Sequence, residues 1–188
     1  GTLGIIISAK LKTFPKPKKI MLIVLAYKTI RQSVADCAKI VNLKPSALEI
    51  IDHNIIKHIK TKFTKSANCL LFVEFDSNIV KSKERLQKII TNAKIIKTLT
   101  RKDEVKKWWG FRNSALSYSI RSIAAKESMP TVIEDATVPV RKLVSLVDII
   151  EKVAKKYKIR YVLYGHAGNG NLHIRPILKR KNKKLIKK

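Results

Sequence analysis

Two apolar runs, IMLIVLAY at 20–27 and CLLFVEFD at 69–76, constrain this chain more than any other feature. Each is the right length for a buried strand and far too short to cross a bilayer as a helix. The period changes between and after them. Ile30, Val34, Ala38 and Val41 recur at helical spacing, and ALEII at 47–51 reads as a short strand. Ile79, Leu86, Ile89 and Ala93 mark a second helix, and AKIIKTLT at 93–100 returns as a fourth strand. The order β-α-β-β-α-β is the split unit of ferredoxin-like folds. The expected class is α+β: a ferredoxin-like antiparallel sheet with its helices on one face, extended by a second α/β segment.

That second segment begins with a helix over 103–122, for which Asp103 is the expected cap. TVIED, 131–135, reads as a short strand, and Pro139 opens another helix with an apolar face of Leu143, Val147, Ile150, Ala154 and Tyr157. IRYVLYG, 159–165, and NLHIRPI, 171–177, are strands on either side of a glycine turn. At the other end, GTLGIII reads as a strand, and the extended segment 1–15 is ended by Pro15 and Pro17. The chain does not begin with Met, so residues 1–17 are expected to be the edge of something larger. Residues 18–177 are then the domain proper, and 178–188 a basic tail.

A length of 188 residues suffices for one sizeable domain, and 45% hydrophobic with 29% charged residues reads as globular. No secretory signal opens the chain. Cys37 and Cys69 lie in apolar segments and read as buried free thiols, for which a reducing cytoplasm is the default, with association at a membrane periphery left open. The formal charge of +28 favours anionic partners. Seven of the cations belong to the tail LKRKNKKLIKK, which has no acid. Lys far outnumbers Arg alongside abundant Ile and Asn, which is compositional bias as much as adaptation to phosphate. No basic–aromatic interleaving suggests base stacking. A non-catalytic basic protein that binds nucleic acid or acidic membrane nevertheless stands as the alternative reading.

Chemistry concentrates in one stretch. YGHAGNGNLHIRP, 164–176, holds two of the four histidines and three of the six glycines. A turn can bring His166 and His173 to one point, and neutral imidazole is a common ligand of divalent metals. Two ligands do not make a tight site, so a third must come from elsewhere. The other reading is a glycine turn with two ordinary polar histidines. The segment is no dinucleotide fingerprint, because it lacks the third glycine and opens a strand instead of a helix.

Arg112 is the second oddity. It falls on the apolar stripe Val105, Trp109, Leu116 and Ile120 of the helix 103–122. A buried guanidinium needs an anionic partner, an internal carboxylate or one from a ligand; otherwise it snorkels past Trp109 to solvent. Glu134 and Asp135 sit before Val138-Pro139, where they cap the next helix, orient a histidine or face water, capping being the preferred reading. Glu74 and Asp76 are expected to face water.

Taken together, these pieces resemble the C-terminal part of FAD-linked oxidases, the group with D-lactate dehydrogenases, the glycolate oxidase flavin subunit and D-2-hydroxyglutarate dehydrogenase. GTLGIIISAKLKTFPKP resembles the segment that closes the family's flavin domain. ALEIID and LLFVEFD resemble its cap-domain strands, and WWGFRNSA its W-x-x-R helix. VIEDATVPVRKL and YGHAGNGNLHIRP resemble its E-D-x-x-V-P and G-H-x-G-D-G-N-L-H-x-x-P motifs. The resemblance covers essentially the whole chain.

It implies FAD as cofactor, a divalent metal such as zinc on His166 and His173, and Asn171 beside the flavin ring. Arg112 would hold the carboxylate of a small 2-hydroxy acid, and Gly1, Thr2, Gly4 and Ile5 would belong to the flavin-contacting edge. The implied chemistry is hydride transfer from the substrate carbon to the flavin, with a base taking the hydroxyl proton. The sequence departs from the pattern at Asn169, where the family usually has Asp, and no G-E-H-G motif carrying a third ligand and base follows residue 176. The expected partner is therefore a separate FAD-binding domain or polypeptide, with no catalytic base assigned in this chain and no turnover expected without that partner. Residues 1–11 and the loop 165–171 are expected to lie along the exposed face where it docks.

Overall fold

The computed structural model describes residues 3–13, 15–59, 67–121, 123–131, 133 and 135–179. β1 (Met21–Tyr27), α1 (Ile30–Ile40), β2 (Ala47–Asp52), β3 (Cys69–Phe75), α3 (Ile79–Ile89) and β4 (Lys94–Leu99) form the split unit, with a one-turn helix α2 (His53–Ile56) inserted after β2. The strands lie in the order β4-β1-β3-β2, all antiparallel. This is the topology that the sequence order implies.

β7 (Arg160–His166) pairs with the free edge of β2, and β8 (Asn171–Lys179) pairs with β7. Two short strands, β5 (Glu127–Ser128) and β6 (Ala136–Thr137), pair with β8 and complete an eight-stranded sheet.

Side-chain alternation divides the sheet between two cores. Ile23, Leu25, Leu71, Val73, Leu48 and Ile50 pack under α1, α3 and α6 (Leu143–Tyr157), through Val34, Cys37, Leu86, Leu143 and Val147. Leu22, Val24, Leu70, Phe72 and Ile51 point the other way, to α2, α4 (Lys102–Asn113) and α5 (Ala115–Arg121). The two helices of the split unit share one face as expected, and the opposite face has helices of its own. Burial on both sides explains why 20–27 and 69–73 read as unbroken apolar runs.

Four expectations are corrected. The helix over 103–122 is two helices, interrupted at Ser114. Of the expected stripe, Val105 is buried and Trp109 packs against the core, but Leu116 and Ile120 beyond the break are exposed, and Trp108, Ala115 and Ser119 are buried. Asp103 lies inside the first turn and pairs with Arg101 at 2.7 Å, while Arg101 occupies the cap position. Of 131–135, the described residues are not in a strand; the pairing with β8 begins at Ala136. Finally, residues 3–13 form no strand and pair with none of the described strands. Leu3, Ile5, Ile6 and Ile7 are almost fully exposed there. The tail from 180 lies outside the described residues. Cys37 and Cys69 are buried free thiols. No described helix is long and apolar enough to cross a membrane.

Candidate functional site

β2, β7 and β8 bring their polar side chains to one end of the sheet face that α4 covers. The ladder sets the arrangement. Ile50 pairs with Gly165, Tyr164 with His173, and His166 with Asn171. Residues two apart share a face, so Glu49, Tyr164, His166, Asn171, His173 and Arg175 project on the side of Ile51 and Phe72.

Gly170, at φ +70°, closes the β7–β8 turn. A Cβ there would fall 1.8 Å from the Val138 carbonyl oxygen, and one at Gly165 would fall 2.6 Å from the Asn171 carbonyl oxygen. Both positions need glycine for close backbone approach.

Glu49 is the hub of the cluster. Its Oε2 accepts from Arg112 Nε at 2.8 Å, and its Oε1 lies 2.8 Å from His166 Nδ1. The Arg112 and Glu49 side chains are only 12% and 13% exposed, so the pair is nearly withdrawn from water. Arg112 thus meets an internal carboxylate and does not snorkel. Its Nη2 also lies 3.4 Å from His166 Nδ1.

His173 Nδ1 sits 2.8 Å from Asp135 Oδ1. Asp135 therefore orients a histidine, and the preferred capping role is overturned: the turn of helix that leads from Pro139 into α6 has no side-chain cap. Glu134 lies outside the described residues. Burial holds the His173 ring below the usual histidine range, opposed by Asp135 and reinforced by His166, Arg112 and Arg175. The two histidine rings stand 5.4 Å apart, edge to face, and Tyr164 lies 4.9 Å from His173. Among the described residues, no group of three or more His, Cys, Asp or Glu is arranged to hold a metal.

Asn171 donates through Nδ2 to Thr137 Oγ1 at 3.0 Å, while its buried Oδ1 has no partner among the described residues. Glu74 does not simply face water; it accepts from the Trp109 indole at 2.7 Å and from Ser46 at 3.0 Å, while Asp76 is exposed.

Arg112, His166, Asn171 and His173 are thus brought together from the residues singled out in the sequence. Gly4 and Ile5 are exposed and meet none of them in the described contacts; Gly1 and Thr2 lie outside the described residues. Glu49 escaped notice. The signal for it was an acid inside ALEIID, a strand buried on both faces, where a charge demands a partner.

The chain matches the family of FAD linked oxidases, C-terminal domain, over residues 16–188. It is 31% identical over 185 residues to the glycolate oxidase subunit GlcD of Bacillus subtilis, covering 92% of this chain and 38% of that protein. It is 25% identical to a D-lactate dehydrogenase of Anaerostipes hadrus, covering 93% of this chain and 39% of that one. The chain therefore spans less than two fifths of the length of these relatives. Among solved structures, a 4-ethylphenol oxidase from Gulosibacter chungangensis shares the fold at a TM-score of 0.57 with 10% identity, over 87% of this chain and 40% of that one. An alkyldihydroxyacetonephosphate synthase does so at 0.54 with 13% identity, over 91% and 39%. With a family match across nearly its whole length, the chain belongs to the FAD linked oxidases, as their C-terminal domain.

Proposed function

We propose that this chain is the cap and substrate-binding portion of an FAD-dependent 2-hydroxy acid dehydrogenase acting on D-lactate, glycolate or a similar acid. The observation that carries the reading is the convergence of Arg112, His166, Asn171 and His173, from three separate elements, on one end of one sheet face. Arg112 Nη1 makes no hydrogen bond among the described residues, which leaves one edge of the guanidinium for a substrate carboxylate.

The donor set fits a divalent metal in two respects. Each histidine engages a carboxylate through Nδ1, the arrangement that leaves Nε2 as the ligating atom. Two imidazoles sharing one tetrahedral zinc, with Zn–N bonds of ~2.0–2.1 Å, have ring centroids roughly 5 Å apart, and these lie at 5.4 Å. His166 and His173 would hold the ion, which would lower the pKa of a bound hydroxyl; a third ligand is not assigned.

FAD, when bound, supplies the hydride acceptor. The exposed Leu3, Ile5, Ile6 and Ile7 are consistent with a face that the flavin-bearing part covers. This chain's residues bind and orient the acid; the hydride acceptor belongs to the flavin-bearing part, and no described residue of this chain is assigned as the base.

The test is an absorption spectrum of the protein purified from its native host, followed by a dye-linked assay with D-lactate and glycolate. Visible flavin bands and substrate-dependent dye reduction are expected of that preparation, and no turnover of the 188-residue chain by itself. A flavin-free protein carrying an ultraviolet excess from nucleic acid would overturn the reading in favour of a basic binding protein.

A further inference from the structure

We propose that Glu49 is the positioning residue of this site, whose single carboxylate aligns the anion-binding edge of Arg112 with the ligating edge of His166. The proposal deepens the functional reading above and rests on it for the identity of the ligands.

Glu49 and its two partners come from three elements, and its carboxylate hydrogen-bonds to both Arg112 and His166. The division of labour follows from valence. Oε2 takes the Nε and Nη2 side of the guanidinium, which leaves Nη1 without a hydrogen bond among the described residues. Oε1 faces His166 Nδ1. A carboxylate has only lone pairs to offer, so the neutral imidazole meets it as a donor, with its proton on Nδ1 and a lone pair on Nε2. Arg112 is also a donor and approaches the same ring nitrogen at 3.4 Å, a distance too long and a pairing too poor to orient the ring by itself. Glu49 is therefore what selects the tautomer. His173 receives the equivalent service from Asp135, but Asp135 is largely exposed while Glu49 is enclosed. With its side chain only 13% exposed, Glu49 has little water to replace His166, so losing that contact costs more than losing the Asp135 one.

Glu49→Gln separates this role from a purely structural one. The amide has the same shape and one acceptor oxygen in place of two. If that oxygen keeps Arg112, the amide NH2 faces His166 Nδ1, which must then accept, moving the proton to Nε2 and closing the ligating position. Glu49→Asp keeps two acceptors on a shorter stem.

The tautomer is read by nitrogen NMR of the histidine rings in the metal-free chain at pH ~8, above the ordinary histidine value of about 6.5. The expected result is His166 protonated on Nδ1 in the wild type and on Nε2 in Glu49→Gln, with Glu49→Asp intermediate or restored. Wild-type His166 protonated on Nε2, or no change in Glu49→Gln, overturns the proposal. Zinc titration of the same proteins by calorimetry provides the second readout. Affinity is expected to fall about 10- to 100-fold in Glu49→Gln, with a lower melting temperature because Arg112 then faces a neutral amide; Glu49→Asp, which keeps the charge, separates the two effects. A wild-type chain with the expected tautomer but no zinc binding would sink the metal reading and leave the positioning role standing, so the two failures are distinguishable.

Discussion

Gly170 and Val138 lock the site's turn to the strand beside it. Val138 N donates to the Gly170 carbonyl at 3.0 Å, while the Val138 carbonyl oxygen occupies the space where a Cβ on residue 170 would sit. Together they hold the β7–β8 turn, with His166 before it and His173 after it, against the segment that leads into α6. Gly170→Ala is expected to cost about 2–4 kcal/mol, from positive-φ strain and backbone displacement together. Thermal unfolding measures it, and a variant within half a kcal/mol of wild type would show that the turn is not packed this way.

Arg112 and Glu49 are expected to behave as a unit. Arg112→Leu strands a nearly enclosed carboxylate, and Glu49→Leu strands a nearly enclosed guanidinium; each should destabilise by about 2–3 kcal/mol. The double replacement removes both charges and should lose much less than the two single losses combined. Denaturant unfolding of the four proteins gives the coupling. Additive losses would mean that the pair is solvated in solution.

Asp135 is 64% exposed, so Asp135→Asn should leave the melting temperature nearly unchanged. It should still weaken zinc binding about 10-fold or more through loss of the His173 partner. Calorimetric titration decides it; a variant that binds zinc as the wild type does would remove Asp135 from the site.

The two thiols set an alkaline limit. Burial pushes Cys69 up to about 12, and it raises Cys37 well above the ordinary thiol range. A thiol raised in the folded state contributes stability that is whole below its unfolded value near 9 and is lost as pH climbs toward 12. Stability should therefore decline through that window, by a few kcal/mol, and iodoacetamide at pH ~8 should modify neither cysteine until the protein is unfolded. Rapid alkylation of the native protein would contradict their burial.

Much of this molecule was legible in its sequence, and the reason is periodicity. The runs 20–27 and 69–76, the spacing of Val34 and Leu86, and the glycine turn between two strands report locally which positions turn inward. They led to the β4-β1-β3-β2 topology because the split unit has few ways to fold. The motif around His166 and His173 was legible too, since Gly170 needs a conformation that other residues resist. The break at Ser114 was not: a continuous helical rhythm does not reveal a one-residue interruption, so Leu116 and Ile120 were assigned to a buried face they do not share with Val105. Nor did the N-terminal run GTLGIII report that its described part would find no strand to pair with.

The site's wiring belonged to the tertiary structure alone. Arg112 needed an anion, but nothing local says that Glu49, 63 residues earlier, supplies it, or that the same carboxylate reaches His166, 117 residues on. Whether Asp135 caps a helix or holds His173 was equally undecided by spacing. Local sequence determines which backbone conformation and which face each residue takes. Which distant side chains meet depends on the register of β2 against β7 and on the helix laid across them, and those are set by the packing of the whole sheet.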